Sequence, residues 1–264
     1  MKIRVICWAI IALSGVVSTS PAYATARVLS LVFAVNDVGT YSVSTSQTTT
    51  DLSTSESYTS SINCQIEISV TAYNGGISYD VLNAQTNGVQ TIDGTSENLF
   101  NGSDTAKQNS GQGLITHPVD MQAIFPSTDI GGYNAGTCVE VGPMFSAVAV
   151  DVNDTWTQNL TVTPYGESAQ TVTKTYRLLE WTTLNGYSVA RIKVTWTEPS
   201  HGLNATGVET WGNIDHEEYL WFAYAEKKMV KTSRTSTGSL SCKTSSTSDT
   251  KSISISGTSE SVLN

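Results

Sequence analysis

The chain has 264 residues, with 23 acidic against 14 basic side chains and a formal charge of −9 at pH 7. That balance repels nucleic acid and anionic membrane surfaces, so a nucleic-acid partner is not expected. Ser and Thr dominate and strong helix formers are sparse, which argues against a helical bundle.

Residues 1–24 read as a cleaved export signal. Lys2 and Arg4 form a basic start, residues 5–17 an apolar run, and Ala22-Tyr23-Ala24 a small-x-small cleavage site. The run is shorter than the roughly 20 residues of a spanning helix. Cleavage leaves 240 residues beginning at Thr25, and the loss of Lys2 and Arg4 takes the charge from −9 to −11. The expected location is the periplasm or the extracellular space. No later apolar run is long enough to cross a membrane, so no transmembrane segment is expected in the mature chain.

A first β unit is expected over residues 25–128. Residues 27–35 are an almost continuous β-prone run, and Ile62, Cys64, Ile66, Ile68 and Val70 alternate strictly. Period two with β-branched residues predicts half-buried strands. Asn74-Gly75, Asn87-Gly88, Asp93-Gly94 and Asn101-Gly102 are turn signals. Residues 97–113 are polar and rich in Gly and Asn, and predict a mobile loop.

A second unit is expected over residues 129–264. It opens on another Gly-rich loop, 129–142, which contains Cys138. Ala190, Ile192, Val194 and Trp196 alternate after an Asn185-Gly186 turn. The aromatic stretch from Tyr219 predicts a strand running into a hairpin with Glu226-Lys227-Lys228 at its turn. The Ser/Thr-rich tail carries alternations at Leu240-Cys242 and Ile253-Ile255, and predicts edge strands.

The two units share a faint repeat. Val35 to Ser42 aligns with Val150 to Thr157 at an offset of 115, and Ile68 to Gly75 with Leu179 to Gly186 at 111. Two matches in one order predict two copies of one β unit, with Tyr41 and Trp156 as equivalent buried aromatics. The fold class expected is all-β: two similar antiparallel units with few or no helices.

The stretch Val150-Asp-Val-Asn-Asp-Thr-Trp156, followed by Tyr176, Asn185-Gly186, Ala190-Arg-Ile192 and residues 218–222, resembles a group of uncharacterised secreted bacterial β proteins. Those open on V-x-V-G-D-x-W; here Asn153 stands in place of the usual Gly. The resemblance covers residues 148–238 well and 27–95 loosely. It implies curved antiparallel sheets, half-barrel or barrel-like, similar in fold to lipoprotein carriers, and no particular chemistry.

No HExxH or GxSxG motif occurs, and His117, His201 and His216 are isolated, so no catalytic residue and no cofactor are assigned. Asp215, Glu217 and Glu218 form the densest acidic knot, a weak candidate for a hard cation, with Asp151, Asp154 or Asn213 as companions. Most aromatics at period two are expected in the core; Trp181 and Trp211 border turns and are the candidates for ligand contact. In an oxidising compartment one disulfide is expected among Cys64, Cys138 and Cys242, with Cys64–Cys242 preferred. The function expected is a non-catalytic binding or surface-structural module with an unknown partner at the cell surface. The alternatives are a carrier of a lipid or other apolar ligand, and a hydrolase with dispersed carboxylates.

Overall fold

The computed structural model describes residues 26–30, 36–74, 78–98, 102–109, 145–146, 148–162, 166–203, 208–244 and 249–264. The export signal, His117 and Cys138 lie outside them. None of the described residues is helical. They form eleven strands: β1 (Val38–Asp51), β2 (Ser57–Asn74), β3 (Ser78–Ile92), β4 (Thr95–Asn98), β5 (Gly102–Asn109), β6 (Thr155–Val162), β7 (Gln170–Leu184), β8 (Tyr187–Leu203), β9 (Val208–Ala223), β10 (Lys228–Thr244) and β11 (Thr250–Leu263).

All pair antiparallel in one sheet, in the order β4-β3-β2-β1-β11-β10-β9-β8-β7-β6, with β5 also on β3. The path ends at different strands, so the sheet is not closed into a barrel. The two halves of the chain meet where β1 pairs with β11, from Tyr41↔Leu263 to Asp51↔Ile253. The sheet curls round its inner face: Tyr41 Oη on β1 donates across β11 to the Met229 carbonyl of β10 at 3.0 Å.

Local chemistry explains the hairpins. Asp93 and Gly94 have φ of 45° and 83°, and Asn185 and Gly186 have 50° and 82°, the left-handed pair that a two-residue hairpin turn requires. The β9–β10 turn falls at residues 224–227, where Lys227 has a φ of 56°.

Three expectations are corrected. Asn87-Gly88 is no turn: it lies inside β3, where pairing skips from Asn63↔Val89 to Gln65↔Thr86, so the left-handed Asn87 (φ 52°) makes a β-bulge opposite Cys64. Within the expected loop at 97–113, Gly102–Asn109 is a strand, because β3 offers its free edge from Ser78 to Gln85. The Ser/Thr-rich tail supplies central strands, β10 and β11, rather than edges. Its apolar alternates Leu240, Ile253 and Ile255 are buried in a small cluster with Ile214, which holds both strands in the sheet.

Neither expected match holds at its offset, but one backbone clasp recurs in the two halves of the chain. Asn36 has a φ of 74°, its N–H donates to the Val70 carbonyl, and Val70 N–H donates back to the Asp37 carbonyl, both at 2.9 Å. Asn153 has a φ of 77° and makes the same clasp with Asp154 and Leu178, at 2.8 and 3.0 Å. Each clasp is followed by a bulge, after Val70 in β2 and after Leu178 in β7. On this frame Trp156 matches Gly39, not Tyr41. The slip is two residues, so both aromatics stay on the inner face. The Tyr41 ring lies 3.1 Å from where a Gly39 side chain would begin and fills that space. Tyr41 is buried; Trp156, on the edge strand β6, is half-buried and stacks on Tyr176 at 5.4 Å between ring centroids.

The main core lies on the inner face of β1, β2 and β7–β10. It contains Tyr41, Ile66, Tyr176, Leu178, Ile192, Leu220 and Phe222, with Leu29, Phe145 and Val150 packed in from the connecting segments. Each fully buried large side chain contributes about 1.5–3 kcal/mol.

Candidate functional site

The two faces of the sheet differ in chemistry. Because side chains alternate, exposed Ser and Thr dominate one face, while the other buries Val, Ile and Leu together with Thr45, Gln47, Thr49, Thr232, Ser236 and Ser261. The outer hydroxyl positions are Ser233, Thr235, Thr237, Ser239 and Ser241 on β10; Ser252, Ser254, Ser256 and Thr258 on β11; Ser42, Ser44, Ser46, Thr48 and Thr50 on β1; and Ser57, Thr59 and Ser61 on β2; the same face continues to Lys231, Glu260, Asn63, Gln65 and Glu67. All of these hydroxyl residues are exposed or half-buried.

Register turns this composition into continuous rows across the strands. One row runs Thr157, Thr175, Thr195, Glu217, Thr235, Thr258, Ser46, Ser61, Thr91, Ser96, one residue from each strand of the main path. At about 4.8 Å per strand it is about 43 Å long. Two residues further along the strands, a second row runs Thr197, Asp215, Thr237, Ser256, Thr48, Thr59. Over β7–β10 the rows border a shallow hollow of about 590 Å³, lined by Thr173, Thr175, Thr195, Thr197, Thr235 and Thr237, by Asp215 and Glu217, and by Trp196 and His216 between them.

The two carboxylates in the hollow are held in place. Thr197 Oγ1 donates to Asp215 Oδ1 at 2.5 Å. Glu217 receives the Lys193 ammonium at 2.6 Å and the Tyr219 hydroxyl at 2.7 Å. The hydrogen bond from Lys193, then that from Tyr219, lowers the Glu217 carboxyl below its ordinary range. It is therefore an anionic acceptor near neutral pH, the wrong state for a proton donor.

Charged groups collect at the ends of this field. On one side stand Arg177, Arg191, Lys193 and Lys231 with Glu180 and Glu260, packed around Tyr219 and Trp221. On the other, His201 bonds Glu167 through Nδ1 at 2.9 Å and Glu209 through Nε2 at 2.8 Å. The hydrogen bond to Glu209 is the largest of the effects that raise the His201 pKa.

The inner face carries a buried polar band between its two apolar clusters. The Trp196 ring stacks on His216 at 4.5 Å, with Lys174 Nζ at 4.2 Å and Arg234 Cζ at 5.0 Å from its centroid. Arg234 pairs with Glu218 at 3.1 Å, and His216 Nδ1 bonds Ser236 Oγ at 2.8 Å. Burial, then the charges of Arg234 and Lys174, push the His216 pKa down to about 3.

The acidic knot is therefore split. Asp215 and Glu217 face outward in the hollow, while Glu218, one residue on, points inward to Arg234 and is buried. Three adjacent carboxylates on a strand cannot share a cation from one side. Asp151 and Asp154 sit in the turn before β6, where Asp154 Oδ2 accepts the Asp151 N–H at 2.8 Å. Among the described residues no group of three or more His, Cys, Asp or Glu is placed to hold a metal ion. His201 and His216 are on opposite faces of the sheet.

Trp181 is occupied by its own fold: Tyr224 meets it edge-on at 5.3 Å, Arg27 lies over its ring at 5.2 Å, and its Nε1 donates to Asp151 at 3.4 Å. Trp211 is half-buried on β9, between His201 of β8 and Ser241 of β10, on the outer face. Cys64 and Cys242 are free thiols. The row through Cys64 reaches β10 at Thr232, ten residues from Cys242, a separation of about 33 Å along the strand against the 7 Å limit for a disulfide. The threonine rows were missed in sequence reasoning; their signal was the alternating Ser/Thr itself.

No known protein family matches the chain, and no curated protein matches it.

Proposed function

We propose that this is an exported, non-catalytic binding module that works through the outer face of its sheet. The observation that carries the reading is the pair of hydroxyl rows crossing the strands and meeting at the hollow around Asp215 and Glu217. A solvent face on a β protein commonly mixes Lys, Glu and Thr; here the two rows carry no charged side chain over β10, β11, β1 and β2. Short hydroxyl side chains lose little rotamer freedom when a partner covers them. The export signal read at residues 1–24 and the resemblance of residues 148–238 to secreted β proteins support a site of action outside the cytoplasm.

The inner face supports a carrier reading less well, since its apolar side chains pack on one another and on Leu29, Phe145 and Val150. The carboxylates support a hydrolase less well, since Asp215 and Glu217 lie side by side on one strand and Glu217 is held ionised.

The test is co-sedimentation of the mature protein with an insoluble cell-envelope fraction. Thr235→Lys and Thr258→Lys place long charges on the row and should release the protein at unchanged melting temperature. Retention equal to that of the unaltered protein would refute the outer face as the working surface.

A further inference from the structure

We propose that the outer face takes a neutral, linear polysaccharide laid across the strands along the two rows, an inference that rests on the binding-module reading above. The occupant follows from what the face offers and lacks. Protein interfaces centre on desolvated aromatic, Met and Arg anchors and are depleted in Ser. From Thr235 to Ser61 and from Thr237 to Thr59 the rows present none of those anchors. A lipid surface needs an apolar or polybasic face, and a nucleic acid needs cations placed at its phosphates. The rows carry neither, and the charges they do carry are the carboxylates of Asp215 and Glu217.

Charge complementarity also removes acidic polymers, because a chain of net charge −9 with two carboxylates in its hollow repels them. What remains is a partner whose own surface is a repeating series of hydroxyls. Serine and threonine hydroxyls both donate and accept, so they match a sugar hydroxyl in either orientation. Asp215 and Glu217 add fixed acceptors at the hollow, each already oriented by Thr197, Lys193 or Tyr219. A path of about 43 Å measured along the sheet fits a long extended chain rather than a single small sugar.

The experiment is affinity electrophoresis and calorimetry of the mature protein against mixed-linkage β-glucan, glucomannan and xylan, with carboxymethyl cellulose as the charged counterpart. At least one neutral polymer should bind, with an affinity little changed by salt, since no ion pair with the ligand is involved. Asp215→Asn with Thr195→Ala, at the hollow, should weaken binding by about tenfold or more. Thr258→Lys, three strands from Thr195 along the row, should weaken the long polymer and spare a trisaccharide of the same sugar. Melting temperatures of the variants report that they fold. Binding to none of the three neutral polymers, or to carboxymethyl cellulose alone, overturns the inference. If envelope binding still depends on Thr235 and Thr258, the binding-module reading survives that failure. If it does not, both fall together.

Discussion

His216 should make the fold acid-sensitive well above the pH at which carboxylates protonate. Its side chain is buried against Trp196, with Arg234 and Lys174 close by, Glu198 at 3.7 Å and Asp215 adjacent in sequence. The folded pKa is about 3, against 6.5 for the free side chain. The neutral form is the folded form, so the contribution is fully present above pH 6.5 and is lost as pH falls toward 3. At one unit per 1.36 kcal/mol, the loss between pH 7 and pH 5 is about 2 kcal/mol. That is a large share of a typical stability of about 5–15 kcal/mol. Over this window His216 dominates, and comparison with a variant that lacks it cancels the other groups. Glu217 and Asp51 are held below the ordinary carboxylate range and contribute only at more acid pH. His201, whose pKa is raised, loses its contribution above pH 6.5. The assay is urea unfolding at pH 7, 6 and 5, for the unaltered protein and for His216→Phe, which keeps an aromatic ring on Trp196 and cannot titrate. The midpoint of the unaltered protein should fall with pH, and the slope should flatten in the variant. Equal slopes in the two proteins would refute the reasoning.

The His201 clamp should act in the opposite direction: its stabilisation is complete below pH 6.5 and disappears as pH rises through the raised folded value. An NMR titration should place His201 above 6.5, and Glu209→Gln should lower it; no change on substitution removes the clamp. Phe222→Ala, at a fully buried position, should cost about 3–5 kcal/mol by urea unfolding. Trp156→Ala should cost less, because its ring is half-buried on an edge strand, and an equal cost would contradict the edge placement. Asn153→Ala should cost about 1–2 kcal/mol more than Asn153→Gly, since φ is 77° at that residue; equal costs would show that the backbone relaxes. Burial pushes the Cys64 thiol up to about 12, so it should resist a thiol reagent in the native protein and react on unfolding without reductant. A peptide map showing a Cys64–Cys242 link would overturn the free-thiol arrangement.

Part of the candidate site was legible in the sequence and part was not. Asp215 and Glu217 stood out as acidic residues in a β context, and both border the hollow. Glu218 stood out equally and belongs to the interior, because strand alternation separates neighbours that composition groups together. Trp181 borders a turn in the sequence, yet Tyr224 and Arg27 come from distant parts of the chain to cover it. The threonines of the rows had no individual signal, since each is an ordinary solvent-face residue until its cross-strand neighbours are known.

What the sequence by itself determined is local. The two-residue period set which side chains of Ile62–Val70 or Ala190–Trp196 face the core, and Asp93-Gly94 and Asn185-Gly186 closed their hairpins because few other dipeptides tolerate two positive φ angles. The clasps at Asn36 and Asn153 belong to the same level, although their register is clear only from the hydrogen bonds. Tertiary structure alone decided the order of the strands. The pairing of β1 with β11 joins residues more than 200 positions apart, and neither strand carries a sequence mark that names its partner. Ser/Thr alternation is compatible with an edge, a centre or several registers. The choice was made by Ile253, Ile255, Leu240 and Ile214 burying together and by Tyr41 reaching Met229, contacts that exist only once the sheet has curled. That same register aligned hydroxyls from nine strands into a row with Glu217, so the face proposed for binding follows from long-range pairing rather than from any local motif.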